Sequence, residues 1–222
     1  MFFMQLLKSL DEFLFEVMSW LVFYPVTLWR ALRHPLKMMD YADTELKDRV
    51  DEQYTEALSP PVFLLLSVLL SHGIELALIG ESPIVAERRG LAGLINDDTS
   101  LLMLRLLLFS IFPLIMALRL VRSRGRGLNR NSLRPPFFSQ CYVTAPFVLA
   151  VGIAVTVMQL PLRWAPLAGF AGILVALLWF GLLQSRWFAL RLNVSFARGF
   201  LTASVAMVEC LAIVLLVAYL FR

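Results

Sequence analysis

The chain begins with an amphipathic pattern and becomes almost continuously apolar after residue 60. Residues 2–24 repeat apolar side chains along one helical face and polar side chains along the opposite face. The apolar face comprises Phe3, Leu7, Leu10, Leu14, Val17 and Leu21. This pattern predicts a helix that lies in the membrane interface without crossing the bilayer.

Pro25 is predicted to break or kink this helix, because proline lacks the amide hydrogen that a helix interior needs. A second amphipathic helix is predicted over 26–39. It combines apolar positions with three basic side chains, namely Arg30, Arg33 and Lys37. A basic amphipathic helix is typical of membrane-surface binding. Packing on the cytoplasmic ends of a helix bundle explains the same pattern equally well.

Residues 40–58 form the one strongly hydrophilic stretch. Two oppositely charged pairs in it have i,i+4 spacing: Glu45 with Arg49, and Lys47 with Asp51. This spacing predicts a solvated helix. Its thin apolar line would dock on the rest of the chain or on a partner; the line is Leu46, Val50, Tyr54 and Leu58.

Five apolar spans follow, at about 61–80, 101–121, 140–161, 167–185 and 200–221. Each is close to the ~20 residues that cross a ~30 Å hydrocarbon core. We therefore predict an all-α fold: residues 1–59 form amphipathic interfacial helices, and residues 60–222 form a polytopic bundle of about five transmembrane helices. A sixth span would have to carry Glu16 and Arg30 into the bilayer.

Proline and small residues add detail to the spans. Pro60 and Pro61 suit the first turn of a helix, and Pro113 and Pro146 predict kinks that membrane helices tolerate. In the fourth span three small residues are spaced four apart and predict close helix contact; they are Ala168, Gly172 and Ala176.

Composition and charge support a membrane location. Hydrophobic residues make up 59% of the chain and charged residues 16%, with a mean hydropathy of +0.76. An average soluble domain has about 25% charged residues, so the excess apolar surface must face lipid. The net charge of +4 comes from basic residues beside the spans. We expect anionic lipid headgroups as partners and no nucleic acid.

The distribution of Lys and Arg predicts the topology. Fifteen lie on the side of the N-terminal segment and four on the other side, with Arg105 left inside a span. The loop after the second span contributes Arg122, Arg124 and Arg126. The positive-inside rule then places the N-terminus in the cytoplasm and the C-terminus outside. The compact loops and the arginine asymmetry favour a bacterial inner membrane.

Four ionisable residues fall inside the spans: His72, Glu75, Arg105 and Glu209. At 1.5 Å per residue, Glu75 and Arg105 lie roughly 7 Å and 6 Å from the same membrane face. We predict that they form an ion pair. Glu209 lies at a depth comparable to His72, so a contact between those two is also predicted.

Two interpretations fit these residues. A histidine and two carboxylates at mid-membrane depth are typical of a proton or ion path. Alternatively, the same residues form satisfied pairs that lock the bundle. We favour the second, because Arg105 neutralises one carboxylate and Glu209 can be stored as a neutral acid.

Recognisable catalytic chemistry is absent from the sequence. It contains no GxxxxGK[ST], GxGxxG, HExxH or GxSxG motif, and its two histidines and two cysteines are scattered. Cys141 and Cys210 are interpreted as small buried hydrophobes. We therefore expect no enzyme activity, no metal and no cofactor.

A local motif resembles the Yip family of membrane proteins, which is named for interaction with Ypt/Rab GTPases. Tyr142 and Pro146 match the family's Gly-Tyr-x-x-x-Pro at the start of a span, with Cys141 in place of the glycine. The segment WRALRHPLKMM is similar to the entry helix of bacterial members. The resemblance implies a cytosolic N-terminal segment, five spans and a non-enzymatic role; eukaryotic members act in membrane trafficking and shaping.

These observations favour a non-catalytic inner-membrane protein that acts as a subunit or scaffold, either as a homo-oligomer or with a membrane-protein partner. The alternative is a small permease with His72, Glu75 and Glu209 along its path. Five spans are few for a monomeric transporter, so the permease would be an oligomer. A membrane enzyme that acts on lipids ranks last, because no nucleophile–base set is visible.

Overall fold

The computed structural model describes residues 2–49, 52–80, 98–125 and 127–220, and every regular element within them is an α-helix. The seven helices are α1 (Phe2–Arg33), α2 (Pro35–Glu45), α3 (Pro60–Ile79), α4 (Asp98–Ser123), α5 (Arg130–Met158), α6 (Ala165–Leu192) and α7 (Phe196–Leu220). Helices α3 to α7 are long and apolar enough to cross a membrane. The all-α class and the five predicted spans are confirmed.

Helix α5 begins about ten residues before the predicted start of the third span. Asn129 caps it: its Oδ1 accepts a hydrogen bond from the Ser132 amide at 2.8 Å, and Ser132 Oγ accepts one from the Asn129 amide at 3.1 Å. This reciprocal capping box satisfies amides that the first helical turn leaves unpaired. The helix then continues through Pro135 and Pro136.

Helix α5 is the centre of the bundle. It packs against α3, α6 and α4, and α7 lies against α6 and α4. Its buried face carries aromatic contacts to its neighbours: Tyr142 lies 6.1 Å from Phe63, and Phe147 stacks on Phe180 at 4.4 Å between ring centroids. Such aromatic pairs add about 0.5–1.5 kcal/mol beyond the area that they bury.

Helix α2 covers one end of the bundle, where α3, α5 and α7 begin and α4 and α6 end; we call this the α2 end. Arg191 of α6 donates to Asp40 at 2.7 Å and to Asp43 at 2.6 Å. Ser139 of α5 donates to the Met39 carbonyl at 2.8 Å. The N-terminal segment is therefore fastened to the five spans by charged as well as apolar contacts.

The break between the first two helices lies at Pro35; of the break or kink predicted at Pro25, the break is therefore wrong. Helix α1 continues through Pro25 to Arg33, and His34 leaves helical geometry with φ −135° and ψ 58°. The residue before a proline is sterically driven out of the α region, and proline itself suits the first turn of the next helix. Both conditions are met at His34 and Pro35.

The helix predicted over 40–58 is wrong beyond Glu45. The Glu45 carboxylate accepts a hydrogen bond from the backbone amide of Tyr54, which has a positive φ of 57°. A turn therefore uses the carboxylate that was expected to pair with Arg49 along a helix. The segment ends against the bundle, since Tyr142 Oη donates to the Leu58 carbonyl at 2.8 Å. Val50 and Asp51 lie outside the described residues.

Candidate functional site

The candidate site is a polar cluster on α3 in the middle of an apolar bundle. Ser67, Ser71 and Glu75 are spaced one helical turn apart and share a face, and His72 lies beside them. All four side chains are buried, with residue exposures of 0%, 7%, 3% and 5% respectively. Burial of so many polar groups is costly unless each has a partner, so their contacts determine what the cluster can do.

Arg105 of α4 supplies the counter-charge. Its guanidinium contacts the Glu75 carboxylate in an ion pair, and Nη1 lies 3.1 Å from His72 Nδ1. The predicted pairing of Glu75 with Arg105 is present. A guanidinium only donates hydrogen bonds, so His72 Nδ1 is the acceptor in this contact. The contact therefore needs the neutral form of His72 with its proton on Nε2.

Helix α5 covers the rest of the cluster. The Gln159 side chain, at the end of α5, lies within hydrogen-bonding reach of the Glu75 carboxylate. Closer to the middle, Gly152 backs onto Ser71, and a Cβ at that position would overlap Ser71 Oγ. Only glycine allows the two helices to approach so closely. The backbone of α5 at Gly152 therefore lies directly against the Ser71 side chain and covers the polar face of α3 at this position.

The cluster continues toward the α2 end through Tyr24 of α1. Ser67 Oγ donates to the Phe63 carbonyl at 2.9 Å and lies 3.0 Å from Tyr24 Oη. Because the Ser67 hydrogen is used within α3, Tyr24 is the donor in the contact between the two hydroxyls. Helix α1 is thereby anchored to the first span by a polar contact at a part-buried position.

Glu209 does not belong to this cluster, so the predicted contact between His72 and Glu209 is wrong. Glu209 of α7 forms an ion pair with Arg119 of α4, and its side chain is 47% exposed. Helix α7 packs on α6 and α4, whereas α3 packs mainly on α5. Depth along the membrane normal was comparable, but the two side chains lie on different sides of the bundle.

The basic residues predicted to face the membrane surface have several roles at the α2 end. Arg30 contacts Glu56, with its Nη1 3.1 Å from the Glu56 carbonyl, and Arg33 lies over the Trp29 ring at 5.7 Å. Arg124 donates to the Arg191 carbonyl at 3.0 Å. Lys37 and Arg122 are exposed. Arg126 lies outside the described residues.

The N-terminal segment contributes two phenol rings to a group of tyrosines in contact that periodicity did not reveal. Tyr41 of α2 packs edge-on against Tyr54 at 6.2 Å and lies 6.2 Å from the Tyr142 ring. Burial, with the neighbouring negative charge of Glu45, raises the pKa of Tyr41 to about 12. Both effects disfavour the phenolate, so this contact surface is neutral at ordinary pH.

A buried amide pair was also missed. Gln140 of α5 and Gln184 of α6 are fully buried and donate to each other, at 2.9 Å and 2.5 Å. The presence of one glutamine in each of two apolar helices was a signal in the sequence that each side chain would need a polar partner. Nothing in the one-dimensional pattern indicated that they meet.

Within the described ranges, no group of three His, Cys, Asp or Glu side chains is placed to hold a metal ion. Cys141 and Cys210 are free and buried. Both carboxylates inside the described spans, Glu75 and Glu209, contact arginines. Chemically, the cluster pairs a buried negative charge on α3 with a positive charge on α4.

Comparison with known proteins does not assign the chain to a family. No family model, no curated protein and no solved structure matches the chain. Its five long apolar helices make it an integral membrane protein.

Proposed function

We propose that this integral membrane protein is a non-catalytic subunit or scaffold of a membrane complex. One observation carries the proposal: each carboxylate inside a described span is paired with an arginine from a neighbouring helix. Paired charges hold helices together but are poorly suited to accept and release a transported ion. We therefore interpret these charged residues as contacts that stabilise the helix bundle.

The sealed face of α3 supports the same proposal. A permease needs a path that opens to each side of the membrane in turn. Here Gly152 presses against Ser71, and Arg105 Nη1 contacts both His72 and Glu75. Opening such a path would separate α3 from α5, which is its main neighbour.

The amphipathic helix α1 also supports a scaffold role, because it offers an exposed apolar surface. Several of its apolar side chains are more than half exposed, including Phe13, Phe15, Met18 and Leu21. Such a helix binds the interfacial region of a membrane, where its apolar face is buried among lipids. It would anchor the α2 end at the surface. By the positive-inside rule we propose the cytoplasmic face of a bacterial inner membrane for that end.

The Yip-type resemblance is compatible with this function, because it implies five spans and a role without catalysis. It remains a proposal that rests on Tyr142 and Pro146. In the structure Tyr142 is buried and holds the Leu58 carbonyl. Its position in the motif is explained by this structural contact.

A small permease is the second candidate, favoured by the burial of His72 and Glu75 within 3.8 Å of each other. In that case His72→Ala would abolish transport while the bundle still assembles. If the residues are structural, the same change lowers stability and no transport activity depends on it.

Native mass spectrometry of the protein, extracted gently from its own membrane, tests the scaffold proposal. We expect a second protein at fixed stoichiometry, because a homo-oligomer alone would suit the permease equally well. The variant Leu14→Glu/Leu21→Glu, on the exposed face of α1, should lose this assembly, whereas Glu209→Gln should keep it. A monomer or a homo-oligomer without a second protein, or assembly that depends on Glu209 and not on α1, contradicts the proposal.

A further inference from the structure

Two hollows lie on the same side of the bundle and meet at Trp179. The first, of about 520 Å³, lies at the α2 end between the start of α2 and the last part of α6. The second, of about 610 Å³, runs between α5 and α6 and is bounded by Leu32 of α1. The Trp179 side chain lines both. Each volume is within the ~300–1,000 Å³ that is usual for small-molecule sites.

The first hollow is cationic. Its lining includes His34, Lys37 and Arg186 and contains no carboxylate. Lys37 and Arg186 are exposed, and neither forms an ion pair with another residue of the described ranges. Some other cations at this end have an acidic partner, such as Glu56 for Arg30 and Asp40 for Arg191. The positive charge here is therefore available to an anion from outside.

The second hollow is apolar, and small residues make up part of its lining. On α5 these are Ala150 and Ala154, and on α6 they are Ala168, Gly169 and Gly172. Arg186 and Gly172 are fourteen residues apart, which is about 21 Å along α6. This distance is half of the ~40–45 Å thickness of a bilayer with its headgroups. A charged hollow and an apolar groove are thus joined over the length of one lipid leaflet.

We infer that the two hollows together bind one anionic glycerophospholipid. Its phosphate lies between Lys37 and Arg186, and an acyl chain follows the groove between α5 and α6. The Trp179 ring lies beside the part of the lipid that joins the phosphate to the acyl chain. A second copy of this chain is the less suitable occupant, because an apolar helix in the groove would leave both cations without a partner. The lipid satisfies the cationic and the apolar parts at once.

The test uses the full-length protein, stripped of lipid in detergent and mixed with phosphatidylglycerol and phosphatidylcholine of identical acyl chains. Native mass spectrometry counts the lipids that remain bound. The wild type should retain phosphatidylglycerol in preference to phosphatidylcholine. Lys37→Gln/Arg186→Gln should reduce that binding about 25-fold, since each cation near an anionic headgroup gives roughly fivefold and the two effects multiply. Lys47→Gln/Arg198→Gln removes the same charge from exposed positions outside the hollows and should bind like the wild type.

Filling the groove gives an independent measurement. Ala150→Phe should weaken retention of both lipids, whereas Ala212→Phe, at an exposed alanine of α7, should not. A rise in the unfolding temperature of the wild type with phosphatidylglycerol, larger than with phosphatidylcholine, supports the site without any variant. Equal retention of the two lipids by the wild type, equal loss in the control double variant, or a dimer that excludes lipid would overturn the inference.

Discussion

Arg105 on α4 contacts the Glu75 carboxylate on α3, and the same guanidinium reaches His72 Nδ1 at 3.1 Å. One cation therefore neutralises a buried carboxylate and satisfies a buried imidazole one turn away. A carboxylate inside a membrane span is costly unless it is paired. The triad explains why α3 can carry a polar face and still pack inside the bundle.

Close packing between α5 and α6 should be sensitive to side-chain size at Gly169. A Cβ there would lie 2.5 Å from the Ala154 carbonyl oxygen. We expect Gly169→Leu to destabilise the protein by about 1–3 kcal/mol, as overpacking commonly does, and to lower its unfolding temperature in detergent. Gly73→Leu is the matched control, because Gly73 is exposed and a Cβ there meets nothing within 4 Å. Equal effects of the two changes would show that the contact is not tight.

Arg191 should hold α2 on the bundle. Its contacts with Asp40 and Asp43 are partly exposed, so their combined contribution is modest, about 1 kcal/mol, and weakens at high salt. We expect Arg191→Gln to accelerate hydrogen exchange in residues 35–45 while α5 is unchanged. Arg198→Gln, at an exposed position of α7, serves as control. If hydrogen exchange in α2 is unchanged, apolar contacts alone hold α2 on the bundle.

The amide pair between α5 and α6 should behave as a unit. Gln140→Leu leaves the Gln184 amide buried without its partner, and we expect a loss of about 1–3 kcal/mol. The double variant Gln140→Leu/Gln184→Leu should cost less than the sum of the two single changes. Thermal unfolding of the four proteins measures this coupling. Additive costs would show that the two amides do not depend on each other.

The phenol contacts of α2 should fail at alkaline pH. The pKa of Tyr41 is raised by burial to about 12, above the value near 10 of an unfolded chain. A raised pKa gives stability that is complete below pH 10 and is lost as pH rises toward 12. We expect hydrogen exchange in residues 35–45 to increase in that window, and less so in Tyr41→Phe. An equal increase in both proteins would exclude ionisation of Tyr41 as the cause.

The sequence was sufficient for the spans and for one of the intramembrane contacts. Twenty-residue apolar stretches have few alternatives in a bilayer, and equal depth on consecutive spans was enough to pair Glu75 with Arg105. Equal depth did not bring His72 and Glu209 together, because depth does not determine on which side of a helix bundle a residue lies. That information resides in the packing of α3 on α5 and of α7 on α6.

Local chemistry explains the errors in the N-terminal segment. The segment contains two prolines at which the first helix could end. Helix α1 continues through Pro25 and ends just before Pro35. Glu45 had the spacing of a helical ion pair, but it is the last residue of α2 and accepts the amide of Tyr54 across a turn. Tertiary contacts of Leu58 with Thr27 and Tyr142 favour that turn. Such contacts join residues 31 and 84 positions apart and leave no periodic signal.

The most direct test of the account is charge reversal at the α3–α4 contact. Glu75→Arg and Arg105→Glu each place two like charges together in the bundle, and we expect each to cost about 3–5 kcal/mol, as breaking a buried pair does. The double variant Glu75→Arg/Arg105→Glu restores opposite charges and should recover much of the unfolding temperature in detergent. A double variant no more stable than either single variant would contradict the claim that this pair locks the bundle.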